Sequence, residues 1–418
     1  MRRWLLLLFL ATTAIDWPQQ LPFNMRATDV IFIAAAMATI VSARPFAVPR
    51  LSPLDVTIAA YIGGSIVSTA FSPDVGVSII ELVRHLYLVS IYIVIAIAVR
   101  QGLAGSIASG LALSGAVLAT IGLAGAALKA IFDIDSAALL SVMSLPYIGE
   151  TVRLRALTAS EAMFACVLAM SAPFIVSHPY IRSARNRVVV SAVVIAVAAA
   201  LTFSHSIAGI TVAALVIAWP ALRSRPMRTA AVGITMAIVA AANFAASISV
   251  RAIDAAGYRD NSTYYYAVDT KRTMIAGRDV EYQIMGYLRL KQVAWDSFTS
   301  RPLAGLGLDR FHSATEAAYQ AGRLTATYRA IDPHSTLPGR MAEAGIIGAV
   351  SLLALWLVAG METIRLLARP AAWPWVTTAV AAGLAATLIN SVNADVMNFR
   401  FLWVALGLVR GLSSQNPR

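Results

Sequence analysis

Stretches almost free of charge recur from one end of the chain to the other, at residues 28–43, 54–73, 101–128, 188–203, 229–250, 341–360 and 372–394. Their apolar positions do not alternate with polar ones, so the element they predict is a helix and not a barrel strand. Splitting the runs at arginines and prolines gives twelve helices, near 4–19, 28–43, 54–71, 77–99, 102–128, 158–176, 188–204, 206–220, 229–250, 339–360, 372–391 and 397–411. Several approach the roughly 20 residues that carry a helix across a bilayer. The expected fold class is an all-α polytopic membrane protein with about twelve transmembrane helices. Residues 1–250 would hold spans one to nine, and 339–418 the last three and a tail. Between them, residues 251–338 mix eleven basic and nine acidic side chains, the balance of a large water-facing loop with short helices, one of them within 309–323.

Composition agrees with this expectation. Apolar residues fill 59% of the 418 positions and charged residues 13%, about half the charged share of an ordinary water-soluble domain. A net charge of +12 taken alone suggests a nucleic-acid partner, but its distribution argues for none. With a cytoplasmic N-terminus, the inside loops hold Arg2, Arg3, Arg44, Arg50, Arg100, Arg182, Arg185, Arg187, Arg223, Arg225, Arg228, Arg365, Arg369, Arg410 and Arg418 against a single acid, Glu362. That asymmetry orients helices in a membrane, and it places both termini in the cytoplasm. The start, "MRRWLLLLFLATT", also has the form of a signal peptide; the charge pattern favours its retention as the first span. Cys166 is the one cysteine, so no intrachain disulfide is expected.

Candidate chemistry gathers late in the chain. His334 lies in "DPHSTLPG" ahead of an apolar run, where an imidazole could take a proton from a hydroxyl or merely support the turn. Arg340 and Glu343 stand where that helix begins, and acids inside apolar runs are costly unless paired or solvated. They suit either a substrate site or a mutual pair at i,i+3. Arg289 and Lys291 precede Trp295 and the turn Gly305-Leu306-Gly307; arginine forks fit phosphate oxygens, and glycines allow close backbone approach. His205 in a tight hairpin and Arg84, beside Glu81 and His85, are further candidates for substrate binding. Asp133 and Asp135 could share a hard cation, but short acidic turns are common, so no metal or cofactor is expected.

Two stretches carry a likeness to a known family. "RLKQVAWDSFTSRPLAGLGLDRF" and "HSTLPGRMAEAGIIGAV", in that order and followed by two apolar runs, are similar to patterns of the bacterial O-antigen ligase and O-antigen polymerase superfamily. The resemblance implies a GT-C-type fold in the bacterial inner membrane, with residues 251–338 periplasmic. It also implies a metal-independent, inverting glycosyltransferase. The donor would be an undecaprenyl pyrophosphate-linked glycan and the acceptor lipid A–core. A polymerase with a carrier-linked glycan acceptor is the second reading and a ligase that adds glycans to protein the third; from a different class altogether, the chain could be a secondary transporter or flippase for a polysaccharide precursor. Polysaccharide assembly proteins would be partners. On that resemblance His334 and Arg289 are catalytic, while Ser204-His205 stands where the family usually has Ser-Arg.

Overall fold

The computed structural model describes the chain outside residues 16–25, 43–50, 146–148, 201–203, 223–225, 246–247, 253–266, 276–277, 330, 369–372 and 416–418. Helices form in each of the twelve apolar runs. They are α1 (Arg2–Thr12), α2 (Ala27–Val41), α3 (Pro53–Ala70), α4 (Val75–Ala98) and α5 (Ala104–Phe132). A short α7 (Pro179–Arg182) then separates α6 (Glu161–Ser177) from α8 (Arg185–Ala200), α9 (Ser204–Leu222) and α10 (Pro226–Ala245). After the polar segment with its helices α11 (Gly286–Ser300) and α12 (Phe311–Gln320) come α13 (Thr336–Ala368), α14 (Pro374–Asn390) and α15 (Arg400–Gln415). Local signals set several starts. Pro53 opens α3 behind a capping box, in which Ser52 Oγ accepts from the Asp55 amide and the Asp55 carboxylate accepts from the Ser52 amide, satisfying two donors the first turn leaves open.

Among the described residues two small sheets interrupt the helices. Strands β1 (Leu140–Leu145) and β2 (Gly149–Leu154) form an antiparallel hairpin. Strands β3 (Ile248–Ala252), β4 (Ala267–Ile275) and β5 (Arg278–Met285) form an antiparallel sheet with β5 in the middle. The polar segment is thus part sheet and part helix.

The core is built around α15, whose residues from Phe401 to Leu412 are all buried. Gly407 and Gly411 lie so close to α4 and the residue that follows it that an added Cβ would come within 2.8 Å of Ile95 and 2.4 Å of Val99. Charges fasten the same helix to the N-terminal half. Arg400 Nη2 reaches Asp29 of α2 at 2.7 Å beside Tyr87, and Arg410 Nε reaches Asp55 of α3 at 2.8 Å.

This architecture corrects the twelve-span expectation. Among the described residues two helical stretches, Val75–Phe132 and Thr336–Ala368, are long and apolar enough to cross a membrane. Others, such as Ala27–Val41, Glu161–Ser177 and Pro374–Asn390, are apolar but only 15 or 17 residues long, short of the ~20 a crossing needs. Helix-on-helix packing absorbs much of the apolar surface, and α6 is buried along almost its whole length. The polytopic, GT-C-type fold class, the inner-membrane localisation and the likeness to the O-antigen ligase superfamily do not stand on this architecture. Of the arginines used for orientation, Arg44, Arg50, Arg223, Arg225, Arg369 and Arg418 lie outside the described residues. Large apolar side chains do remain on outer faces, among them Ile79, Ile80 and Val83 of α4 and Val350, Leu353 and Leu357 of α13; contiguous surface of this kind ordinarily meets a partner or a lipid phase.

A break in α13 positions the site. Gly345 sits at φ 61°, ψ −155°, outside the helical region, and the chain at 302–308 inserts there. The Leu306 and Gly307 amides donate to the Ala342 and Glu343 carbonyls at 2.9 and 3.0 Å, and the Ile346 amide donates to the Pro302 carbonyl at 2.7 Å. Gly305 at φ 72° would place a Cβ 2.3 Å from the Glu343 carbonyl. Gly305→Ala is therefore expected to destabilise the fold by about 2 kcal/mol or more, from left-handed backbone strain plus the clash. Gly63→Ala, inside α3 with open space around it, should stabilise by roughly 0.5–1 kcal/mol. Thermal unfolding of the two variants, moving in opposite directions, is the check.

Candidate functional site

Arg340 enters α13 one turn after its start and is 3% exposed. A buried guanidinium needs counter-charges and acceptors, and it finds them on three elements. Nη2 lies 2.6 Å from Asp395 Oδ2 in the loop between α14 and α15, and Nη1 lies 3.1 Å from Glu343 Oε2. Nη1 also approaches His85 Nε2 at 3.5 Å. His85 in turn lies 3.7 Å from Glu81, which pairs with Arg84 at 2.9 Å. Arg340, Glu343 and, through Glu81, Arg84 thus belong to one cluster, in which the expected i,i+3 pair is made. Arg84 is its outer end, with half of its side chain exposed.

The loop carrying Asp395 also reaches a cleft. Thr336, at the head of α13, fixes that loop by donating its hydroxyl to the Ala394 carbonyl at 2.8 Å and accepting from the Val396 amide at 3.0 Å. Two residues before Asp395, Asn393 Oδ1 accepts from Lys291 Nζ at 2.9 Å. Lys291 is buried, and burial pulls its ammonium down from the usual lysine value to about 8. It lines a cleft of about 410 Å3 with Arg289, Gln292, Trp295, Asp296 and Arg323. Arg289 donates to Gln292 at 2.7 Å, and Arg323 pairs with Asp296 at 2.8 Å. Among the described residues the cleft therefore presents three cations against one acid, with the exposed indole of Trp295 at its side.

His334 lies in the bend before α13, at φ 47°, a conformation that costs a non-glycine residue energy and that recurs at functional sites. Its ring meets that of Tyr287, in the first turn of α11, edge-on at 4.7 Å. Gly305 and Gly307 seat the 302–308 loop against α13 and against Ser72. His205 falls in the first turn of α9, and its side chain lies outside the described residues. Asp133 and Asp135 are both held by Lys129, at 2.6 and 3.0 Å. No three His, Cys, Asp or Glu side chains converge as metal ligands among the described residues.

Sequence reasoning missed Asp395, Asn393 and Arg323. The first two sit in "NADV" at the end of an apolar run, where an isolated acid was the available signal; Arg323 lies in a stretch read only as a surface helix.

No protein-family profile matches the chain, and no curated protein matches it. The expected glycosyltransferase, whether ligase or polymerase, and the alternative flippase rested on twelve membrane spans framing the site. With two stretches of that character among the described residues, the metal-independent, inverting transfer mechanism loses its frame and is withdrawn.

Removing one partner of a buried pair leaves the other charge uncompensated, so Asp395→Asn should destabilise by about 3 kcal/mol. Asp133→Asn breaks a pair whose acid is exposed and should leave the unfolding midpoint unchanged. Denaturant titration of both variants tests this contrast.

Proposed function

We propose that the protein binds a phosphate-bearing anion in the cleft beside α11. The observation that carries this is the convergence of Arg289, Lys291 and Arg323 on one concave surface where Asp296 is the one carboxylate among the described residues. Guanidinium groups bind phosphate oxygens through paired N–H donors, while a buried ammonium gains from any anion that replaces lost hydration. Trp295 offers an apolar face for a ring or sugar attached to the phosphate. A pyrophosphate-linked glycan is one ligand of this class. The cleft is assigned binding and no bond-making step.

The probe is inorganic pyrophosphate, titrated calorimetrically into the full chain. Arg289→Ala is expected to weaken binding by roughly 10- to 100-fold, in line with the ~1.5–3 kcal/mol of one charge-assisted hydrogen bond. Heats indistinguishable from dilution in the unaltered protein, or unchanged affinity in Arg289→Ala, would remove the cleft as an anion site.

Affinity should also depend on pH with a definite sign. Lys291 is protonated below about 8 and neutral above it, and an anion prefers the protonated form. Pyrophosphate binding is expected to weaken as pH rises through 8, and Lys291→Met should flatten that dependence.

A further inference from the structure

The cluster around Arg340 contains polar atoms that protein neighbours do not satisfy. Tyr61 of α3 is 1% exposed and Arg340 is 3% exposed, yet Tyr61 Oη and Arg340 Nε have no hydrogen-bond partner among the described residues. Two buried donors left open would each cost about 1–3 kcal/mol. The Tyr61 ring lies against His85, centroids 5.5 Å apart, and the other His85 nitrogen, Nδ1, lies 3.3 Å from Ser65 Oγ.

The charges of the cluster do not balance either. Glu81, Glu343 and Asp395 face the guanidinium groups of Arg84 and Arg340, so with His85 neutral one negative charge is in excess. Beyond them, Asp309 and Asp332 lie toward Glu81 and Glu343, with the His312 ring facing both at 3.7 and 3.6 Å. An uncompensated charge in a buried site is removed most cheaply by taking up a proton. The carboxylates differ in how well they are held. Asp395 takes Arg340 at 2.6 Å and also accepts from the Met397 amide and Asn398 Nδ2. Glu81 has Arg84 to itself at 2.9 Å, whereas Glu343 has only a 3.1 Å share of Arg340.

We propose that this cluster is an internal, hydrated proton-binding site: Glu343 holds one exchangeable proton, and water accepts from Tyr61 Oη and Arg340 Nε. The ligand class is water and its proton. A buried water needs two to four polar partners; Arg340, Glu343 and Glu81 all lie within electrostatic reach of Tyr61, so the two open donors and these acidic side chains are the partners the proposal gives it. Proton exchange then runs between Glu343 and water, and no other bond is made or broken. The proposal does not rest on the anion cleft, although residues 391–399 touch both.

Infrared spectroscopy of the full chain reads the proton directly. At neutral pH a protonated-carboxyl C=O band is expected, shifted on transfer to D2O and lost in Glu343→Gln, whose amide oxygen still accepts from Arg340. Absence of the band in the unaltered protein overturns the proposal without reference to any variant. Its persistence at full amplitude in a folded Glu343→Gln variant does the same. Tyr61→Phe reads the water. If the hydroxyl donates to water, its removal should lower Tm by roughly 1–3 °C, the scale of one buried hydrogen bond in a large chain. If it has no partner, its removal should raise Tm, and that result overturns hydration of the site.

Discussion

A guanidinium buried among helices dictates much of what surrounds it. Arg340 cannot keep its charge at 3% exposure unless acidic side chains are brought to it as acceptors and counter-charge. One comes from its own helix and the other from the loop after α14. Meeting that demand fixes the first turns of α13, the path of residues 391–399 and the face that α4 turns inward. The loop also holds Asn393 against Lys291, so the electrostatic requirement of the core sets the position of one cation in the cleft.

The same logic recurs twice on α15. Arg400 and Arg410, three turns apart, each enter a mostly apolar interface and each meet an aspartate near the start of a helix in the N-terminal half, Asp29 and Asp55. Carboxylates at helix N-termini are already favoured by the open amides there, so each aspartate serves its own helix and the distant arginine together. Non-directional apolar packing alone would let α15 rotate or slide in its sheath. The two ion pairs select one register, a specificity that buried charges can supply even where their net stabilisation is small.

Helix positions were legible because a long apolar run without charge and without alternation has few other ways to satisfy its backbone. Their environment was not legible from the same signal. Absence of charge marks withdrawal from water, and a helix such as Glu161–Ser177, buried almost throughout by its neighbours, writes the same sequence as one facing lipid. Length decides more than composition does, and boundaries drawn a few residues too generously turned helices of 15 and 17 residues into apparent spans. The Arg340–Glu343 pair was readable because i,i+3 spacing is local. Asp29 with Arg400, and Asp55 with Arg410, lie more than 350 residues apart in the chain, and nothing in either segment names the other.

The glycines show the same division between what is local and what is distant. Gly305 and Gly307 stood out as a turn able to approach something closely, and a phosphate was one candidate. What they approach is protein: the carbonyls freed where Gly345 breaks α13, and Ser72 at the end of α3. A helix broken at Gly345 leaves carbonyls that a continuous helix would have used itself. Inserting residues 302–308 satisfies two of them with backbone amides, and Ser68 adds a third donor, to the Glu343 carbonyl at 2.7 Å. The break keeps Arg340 and Glu343 on a short, separately anchored first segment of α13. That segment is held by α3, by the inserted loop and by residues 391–399, and the buried charge cluster sits where the three meet.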